Sequence, residues 1–154
     1  MREITLDVAK KLIKGAERKA RELGISEVIA ITDEGGNLIA CHRMDEGPIA
    51  SIDIAQNKAW TAVAMKMSTE KLARLSVPNE ELYGINTTNQ GRLVIIGGGI
   101  PFVIDGRIVG AVGVSGSTVS NDIIVASAAI QVFERLFGFG FSFIPYTNIP
   151  LRSQ

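Results

Sequence analysis

A glycine-rich segment followed by a strand hairpin constrains this chain more than any other feature. Residues 97–99 are three consecutive glycines, and two β-rich runs follow them on either side of Asp105-Gly106. Asp-Gly between such runs is a strong hairpin signal. Glycines without a Cβ also let a ligand or a second chain approach the backbone closely. The polar segment 117–122 then leads into a helical pattern, so the region predicts a binding-site scaffold made of a loop, a hairpin and a helix N-terminus.

Four helices are predicted from the remaining patterns. In the first, apolar residues recur at spacings of three and four, with Thr5 as the N-cap and Gly24 as the stop. The second is rich in alanine and is expected to be mostly buried. The last is expected to be capped by Ser120 or Asn121. The predicted helices cover residues 6–23, 49–67, 69–75 and 121–137.

Five strands are predicted, at residues 28–32, 37–43 and 93–96 and in the two arms of a hairpin over residues 102–115. Short connections between them favour an antiparallel sheet with helices on both faces. The 154 residues are expected to form one domain. A tail over residues 138–154 contains several aromatic side chains, and it is expected to cover its own domain, a partner subunit or a ligand.

Composition argues against several classes of function. The chain has 16 basic and 16 acidic residues, so no net field attracts nucleic acid or an anionic membrane. A single cysteine, Cys41, excludes an intramolecular disulfide and a multi-cysteine metal site. No apolar stretch approaches the ~20 residues of a membrane span. The N-terminal segment is unlike a signal peptide, so a cytoplasmic protein without nucleic-acid or membrane partners is expected.

His42 is the only histidine and follows Cys41 on a predicted strand. Neighbouring strand residues point to opposite faces, so these two side chains cannot form a dyad within one strand. The imidazole could be an axial haem ligand or a proton shuttle. Alternatively, it is a strand-edge histidine whose partner is a carboxylate or solvent.

Three charged residues near the second helix are candidates for binding or catalysis. Lys58 lies among alanines and is costly to bury unless a carboxylate or an anionic ligand meets it. The planar guanidinium group of Arg43 has a geometry that suits the binding of a carboxylate. Structural pairs, Asp45 with Lys58 or Asp53 with Arg43, would explain the same residues.

The glycine loop is the third candidate. The amides of Gly97, Gly98 and Gly99 could hold a carboxylate or a propionate, although the glycines could equally pack against the second helix. Their spacing matches no phosphate-binding motif. Ser115 and Ser117 precede the last helix, where free N–H groups favour an anion, while helix capping is the alternative.

Two motifs together resemble the GlcG/HbpS-like family, often labelled haem-degrading, and the C-terminal domain of PduO-type proteins. The resemblance extends to about residue 137. The first motif comprises Arg43, Met44, Asp45, Ser51, Asp53, Ala55, Lys58 and Ala59. The second comprises the glycine loop with Pro101, the hairpin over residues 106–116, and Asp122 at the start of the last helix.

The resemblance implies a profilin-like three-layer α/β/α sandwich with an antiparallel sheet, assembled as a homo-oligomer. It also implies a small-molecule-binding protein, with haem, another tetrapyrrole or a small organic acid in a pocket at the glycine loop. Arg43 and Lys58 would hold the anionic group there. The alternative is an enzyme acting on a small carboxylated or hydroxylated metabolite, with Lys58 or Asp45 as acid or base. A third is an interaction module.

Overall fold

The fold is a mixed α/β arrangement of four α-helices and one antiparallel sheet, seen in a computed structural model that describes residues 3–138. The sheet has the order β2-β1-β4-β3. The helices are α1 (Leu6–Leu23), α2 (Ala50–Met65), α3 (Thr69–Leu75) and α4 (Val119–Phe137). The strands are β1 (Val28–Asp33), β2 (Leu38–Arg43), β3 (Gly99–Ile104) and β4 (Arg107–Ser115).

The prediction of five strands is wrong, because the described residues contain four. The expected strand at residues 93–96 is instead held against α2. There Val94 N donates to Thr61 Oγ1 at 3.1 Å, and Thr61 Oγ1 also lies 3.4 Å from Arg92 O. Residues 93–96 therefore bond to the Thr61 hydroxyl of α2 instead of pairing with a strand, and β3 is the edge of the sheet.

Helices cover both faces of the sheet, as the hairpin connections predict. Ile29 and Ile31 of β1 belong to the core beneath α1 and α4, whereas Val28 and Ala30 pack with Ala55 of α2. This alternation follows from the two-residue period of a strand and explains why β1 is buried throughout. The α2 layer lies very close to the sheet, because a Cβ at Gly113 would overlap the carbonyl oxygen of Ala55.

The helix ends follow the predicted pattern in α1 and differ from it in α4. Thr5 Oγ1 accepts a hydrogen bond from Val8 N at 3.2 Å, and Gly24 ends α1 with φ +69°. The expected caps of the last helix, Ser120 and Asn121, are wrong. Thr118 is the N-cap, since its Oγ1 accepts from Asn121 N at 3.2 Å.

The aromatic tail from residue 139 onward lies outside the described residues. Within the described part of the chain, no helix is long and apolar enough to cross a bilayer.

Candidate functional site

The candidate residues lie at one end of the sheet, but the structure separates them into two groups. Arg43 is paired with Val28, and Val28 is paired with Ser115 on its other side. Gly99 begins β3, on the opposite edge of the sheet from β2. Three strand spacings of ~4.8 Å each put about 14 Å between the backbones of the two edges. The structure therefore does not bring Arg43 to the glycine loop.

The first group surrounds an open groove of about 540 Å³ beside the edge strand β2. Pockets for cofactor-sized ligands span ~300–1,000 Å³, so the groove has the volume for one. Strand β2, the turn after it and helix α1 form its walls. The groove is lined by residues that include Glu17, Arg21, His42, Arg43, Met44 and Asp45.

His42 faces α1, where its Nδ1 lies 2.9 Å from Glu17 Oε1. Cys41 packs instead with Val28 on the α2 side of the sheet, so the two residues point to opposite faces as predicted. A neutral imidazole that donates from Nδ1 to a carboxylate carries its lone pair on Nε2. Arg21 Nη2 lies 3.7 Å from the other oxygen of Glu17. A carboxylate thus orients the only histidine at the groove, with about half of that side chain exposed.

Arg43 and Asp45 lie at the end of β2, where the chain turns. Arg43 Nη1 donates to Gly47 O at 3.1 Å, which fixes the guanidinium beside the groove. Asp45 is exposed in the same turn. Asp53, the alternative partner for Arg43, accepts a hydrogen bond from Asn57 Nδ2 at 3.0 Å.

Lys58 belongs to the second group and is buried between α2 and β4. Its Nζ donates to Val114 O at 2.8 Å and to Asp122 Oδ2 at 3.1 Å. The carboxylate that the sequence requires is therefore Asp122, in the first turn of α4, and not Asp45. Burial lowers the pKa of Lys58, and the charge of Asp122 opposes that effect.

Glu27 completes this group, and sequence reasoning missed it. The side chain is 0% exposed immediately before β1, and neither carboxyl oxygen accepts a hydrogen bond from the described residues. Burial, together with the nearby carboxyl of Asp122, raises its pKa to about 8. The sequence offers no local signal for this burial, because an acidic residue next to a strand is usually exposed.

The glycine loop packs against α2 and β4. Gly98 has φ +125°, and a Cβ there would lie 2.9 Å from Lys58 Nζ. Gly99 N donates to Thr69 Oγ1 at 2.9 Å, and a Cβ at Gly99 would overlap the carbonyl of Lys58. Gly97 faces Ile123 of α4. Gly98 and Gly99 thus lie close to Lys58 of α2, whereas Gly97 packs against α4, and the pocket at this loop measures only about 100 Å³.

The serines near α4 make hydrogen bonds within the protein. Ser115 Oγ lies 3.0 Å from Ser51 Oγ. Ser117 N donates to Asp122 Oδ1 at 3.1 Å, and Ser117 Oγ accepts from Asn121 Nδ2 at 3.0 Å. These contacts hold the turn before α4 in place. Lys58, Gly98, Ser115 and Ser117 thus come together, away from Arg43, His42 and Asp45.

Comparison with known proteins gives consistent matches over most of the described chain. Residues 4–131 match the family described as "Haem degrading protein HbpS-like". A Citrobacter freundii protein, described as an uncharacterized 15.0 kDa protein in the dhaT-dhaS intergenic region, is 42% identical over 133 residues. That match covers 86% of this chain and 94% of the relative.

Two crystal structures resemble the fold closely. The Klebsiella pneumoniae protein ORFY superimposes with a TM-score of 0.84 and is 40% identical, covering 87% of this chain and 92% of its own. The structure described as the PduOC:Heme complex superimposes with a TM-score of 0.81. It is 34% identical and covers 84% of this chain and 94% of its own.

Proposed function

Because the chain belongs to the HbpS-like family, we propose that it binds haem or a related carboxylated tetrapyrrole in the groove beside β2. The family predicted from the two sequence motifs is confirmed by the match over residues 4–131. A similar protein, 34% identical, is described in its crystal structure as a haem complex. The observation that carries the proposal is the oriented histidine in a groove of about 540 Å³.

His42 fits the role of an axial ligand to haem iron. With Nδ1 directed to Glu17 Oε1 at 2.9 Å, the lone pair on Nε2 is the one free to reach a metal. A carboxylate behind a ligating histidine orients the ring and raises its basicity. When bound, haem would supply its iron as the electrophilic centre, and the protein would supply the imidazole and the shape of the groove.

Arg21 and Arg43 fit the role of partners for the propionates. A guanidinium has five N–H donors in a fixed fork that matches a carboxylate. Arg43 commits Nη1 to Gly47 O, and Arg21 contacts Glu17 at 3.7 Å, so each keeps donors for a ligand. The groove wall, which also carries Glu17 and Asp45, therefore offers two guanidinium groups that can pair with the propionates.

The structure supports the glycine-loop version of the pocket less well. A volume of about 100 Å³ suits only a very small ligand. Lys58 is 2% exposed and already donates to Val114 O and Asp122 Oδ2. Asp45 is exposed in the turn after β2, and β2 lies two strands away from β4, to which Lys58 donates. We therefore favour binding in the groove over acid–base catalysis by Lys58 or Asp45.

Titration of the protein with haemin tests the proposal. The wild type is expected to shift the Soret band of haemin with one-to-one stoichiometry per chain. His42→Ala should lose the shifted band or weaken binding by more than about tenfold, since one ligand bond is worth more than ~1.4 kcal/mol. Arg74→Ala on α3, an exposed residue outside the groove, is the control and should bind like the wild type.

Each outcome of the titration has a distinct meaning. A wild type that leaves the haemin spectrum unchanged would overturn haem binding. A His42→Ala protein that binds like the wild type would overturn the assignment of the ligand. Arg21→Ala and Arg43→Ala are expected to weaken binding without changing the band position, because they hold the propionates and leave the iron ligand intact.

A further inference from the structure

Two carboxyl groups and one ammonium group meet out of water where β1 begins, β4 ends and α4 begins. Glu27, Lys58 and Asp122 are 0%, 2% and 3% exposed. Lys58 comes from α2, so the cluster ties both helical layers to the sheet. Nothing in the proposed haem site uses these groups.

Asp122 is hydrogen-bonded through both of its carboxyl oxygens. Oδ2 accepts from Lys58 Nζ at 3.1 Å, and Oδ1 accepts from Ser117 N at 3.1 Å. Both carboxyl oxygens therefore accept hydrogen bonds, one from an ammonium group and one from a backbone amide. Lys58 and Asp122 together form a neutral ion pair.

Glu27 has the opposite environment. No donor among the described residues reaches its two oxygens, and it lies beside the ionised Asp122. An ionised Glu27 would give the cluster two negative charges and one positive charge, with the third charge buried and without hydrogen bonds. Such a group takes up a proton instead, because burying it ionised costs more than binding the proton.

We propose that Glu27 is protonated in the folded protein at neutral pH and shares its proton with Asp122, forming a pH-sensitive clamp between β1 and α4. Asp122 from α4 and Lys58 from α2 are the ionisable groups that face Glu27 in the described chain. The turn at Gly116 encloses the carboxyl group, since a Cβ there would lie 2.9 Å from Glu27 Oε2. Burial and Asp122 raise the pKa of Glu27 to about 8, in line with this geometry.

When Glu27 loses its proton, its hydrogen bond with Asp122 is replaced by repulsion between two carboxylates. The two carboxylates then face each other, and the repulsion falls on the turn at Gly116 and on the first turn of α4. Glu27 is connected to the groove through its neighbours. Ser26, the preceding residue, lines the groove, and the groove residue Met44 donates from its backbone N to Glu27 O at 3.0 Å. Alkaline pH is therefore expected to loosen the groove wall.

Carbon-13 NMR of glutamate carboxyl groups in the full-length protein tests this directly. One carboxyl resonance of the wild type is expected to titrate near pH 8, and the amide of Ser117 should shift with the same midpoint. That resonance should be missing in Glu27→Gln and present in Glu81→Gln, a control at an exposed residue. If every glutamate finishes titrating below pH ~6, the range of ordinary carboxyl groups, the proposal is overturned.

Asp122→Asn provides a second test that does not require Glu27→Gln to fold. Removing the charge of Asp122 frees Lys58 to compensate Glu27 alone. The titration of Glu27 is then expected to move to lower pH by at least about one unit, a tenfold change in proton affinity. An unchanged midpoint would show that Asp122 is not the partner. Neither experiment involves haem, so its result is independent of the proposed function.

Discussion

Replacing Lys58 with methionine should destabilise the fold far more than an equivalent change on the surface. Methionine fills a similar volume and removes the charge, so the buried carboxylate of Asp122 loses its partner at 3.1 Å and Val114 O loses a donor. Removing one member of a buried pair typically costs ~3–5 kcal/mol. We expect Lys58→Met to lower the free energy of unfolding by that amount.

Urea denaturation at fixed protein concentration measures this cost, and a surface pair gives the control. Lys19 and Glu22 are 3.3 Å apart on α1 with side chains 40% and 58% exposed. Lys19→Met should therefore cost no more than ~1 kcal/mol. The double variant Lys58→Met/Asp122→Asn should recover part of the loss, because it leaves no uncompensated charge. A Lys58→Met cost as small as that of Lys19→Met would refute this interpretation of the ion pair.

Three further predictions follow from individual contacts. Because the pKa of Glu27 is raised, the folded state holds a proton that the unfolded state has lost. The free energy of unfolding should therefore fall as the pH rises from 4.5 to about 8. The free energy of unfolding should change by up to ~1.4 kcal/mol per pH unit because of this proton. Urea denaturation of Glu27→Gln should show a smaller pH dependence than the wild type, and an equal pH dependence would contradict the protonation of Glu27. Gly113→Ala should lower the free energy of unfolding by ~1–3 kcal/mol, because the new Cβ would overlap Ala55 O. An unchanged melting temperature would contradict the close packing of α2 on the sheet. Thr118→Ala should cost ~1 kcal/mol and Ser120→Ala almost nothing, whereas equal costs would contradict the assigned cap.

Local patterns were enough to predict the helices and most of the sheet. The spacing of apolar residues in α1 and the signals at Thr5 and Gly24 act over a few residues, so they can be read directly. The segment at residues 93–96 has the composition of a strand, but its backbone bonds to Thr61 of α2. That contact spans more than thirty residues of sequence, and no local pattern reports it.

The candidate site was only partly accessible from sequence, because its grouping depends on strand order. The two family motifs include Arg43, Lys58 and Gly98, but they do not show how far apart these residues lie in the fold. The strand order β2-β1-β4-β3 places Arg43 on the opposite edge of the sheet from Gly98. The composition around Lys58 predicted that it needs an anion, and the structure supplies Asp122. Glu27 was missed since a single acidic residue before a strand is usually exposed.

A crystal structure of the protein grown with haemin would show where haem binds. We expect haem in the groove beside β2, with iron bound to His42 Nε2, Glu17 hydrogen-bonded to His42 Nδ1, and Arg21 or Arg43 at a propionate. Haem seated at the glycine loop beside Lys58, or a groove left empty at saturating haemin, would contradict it.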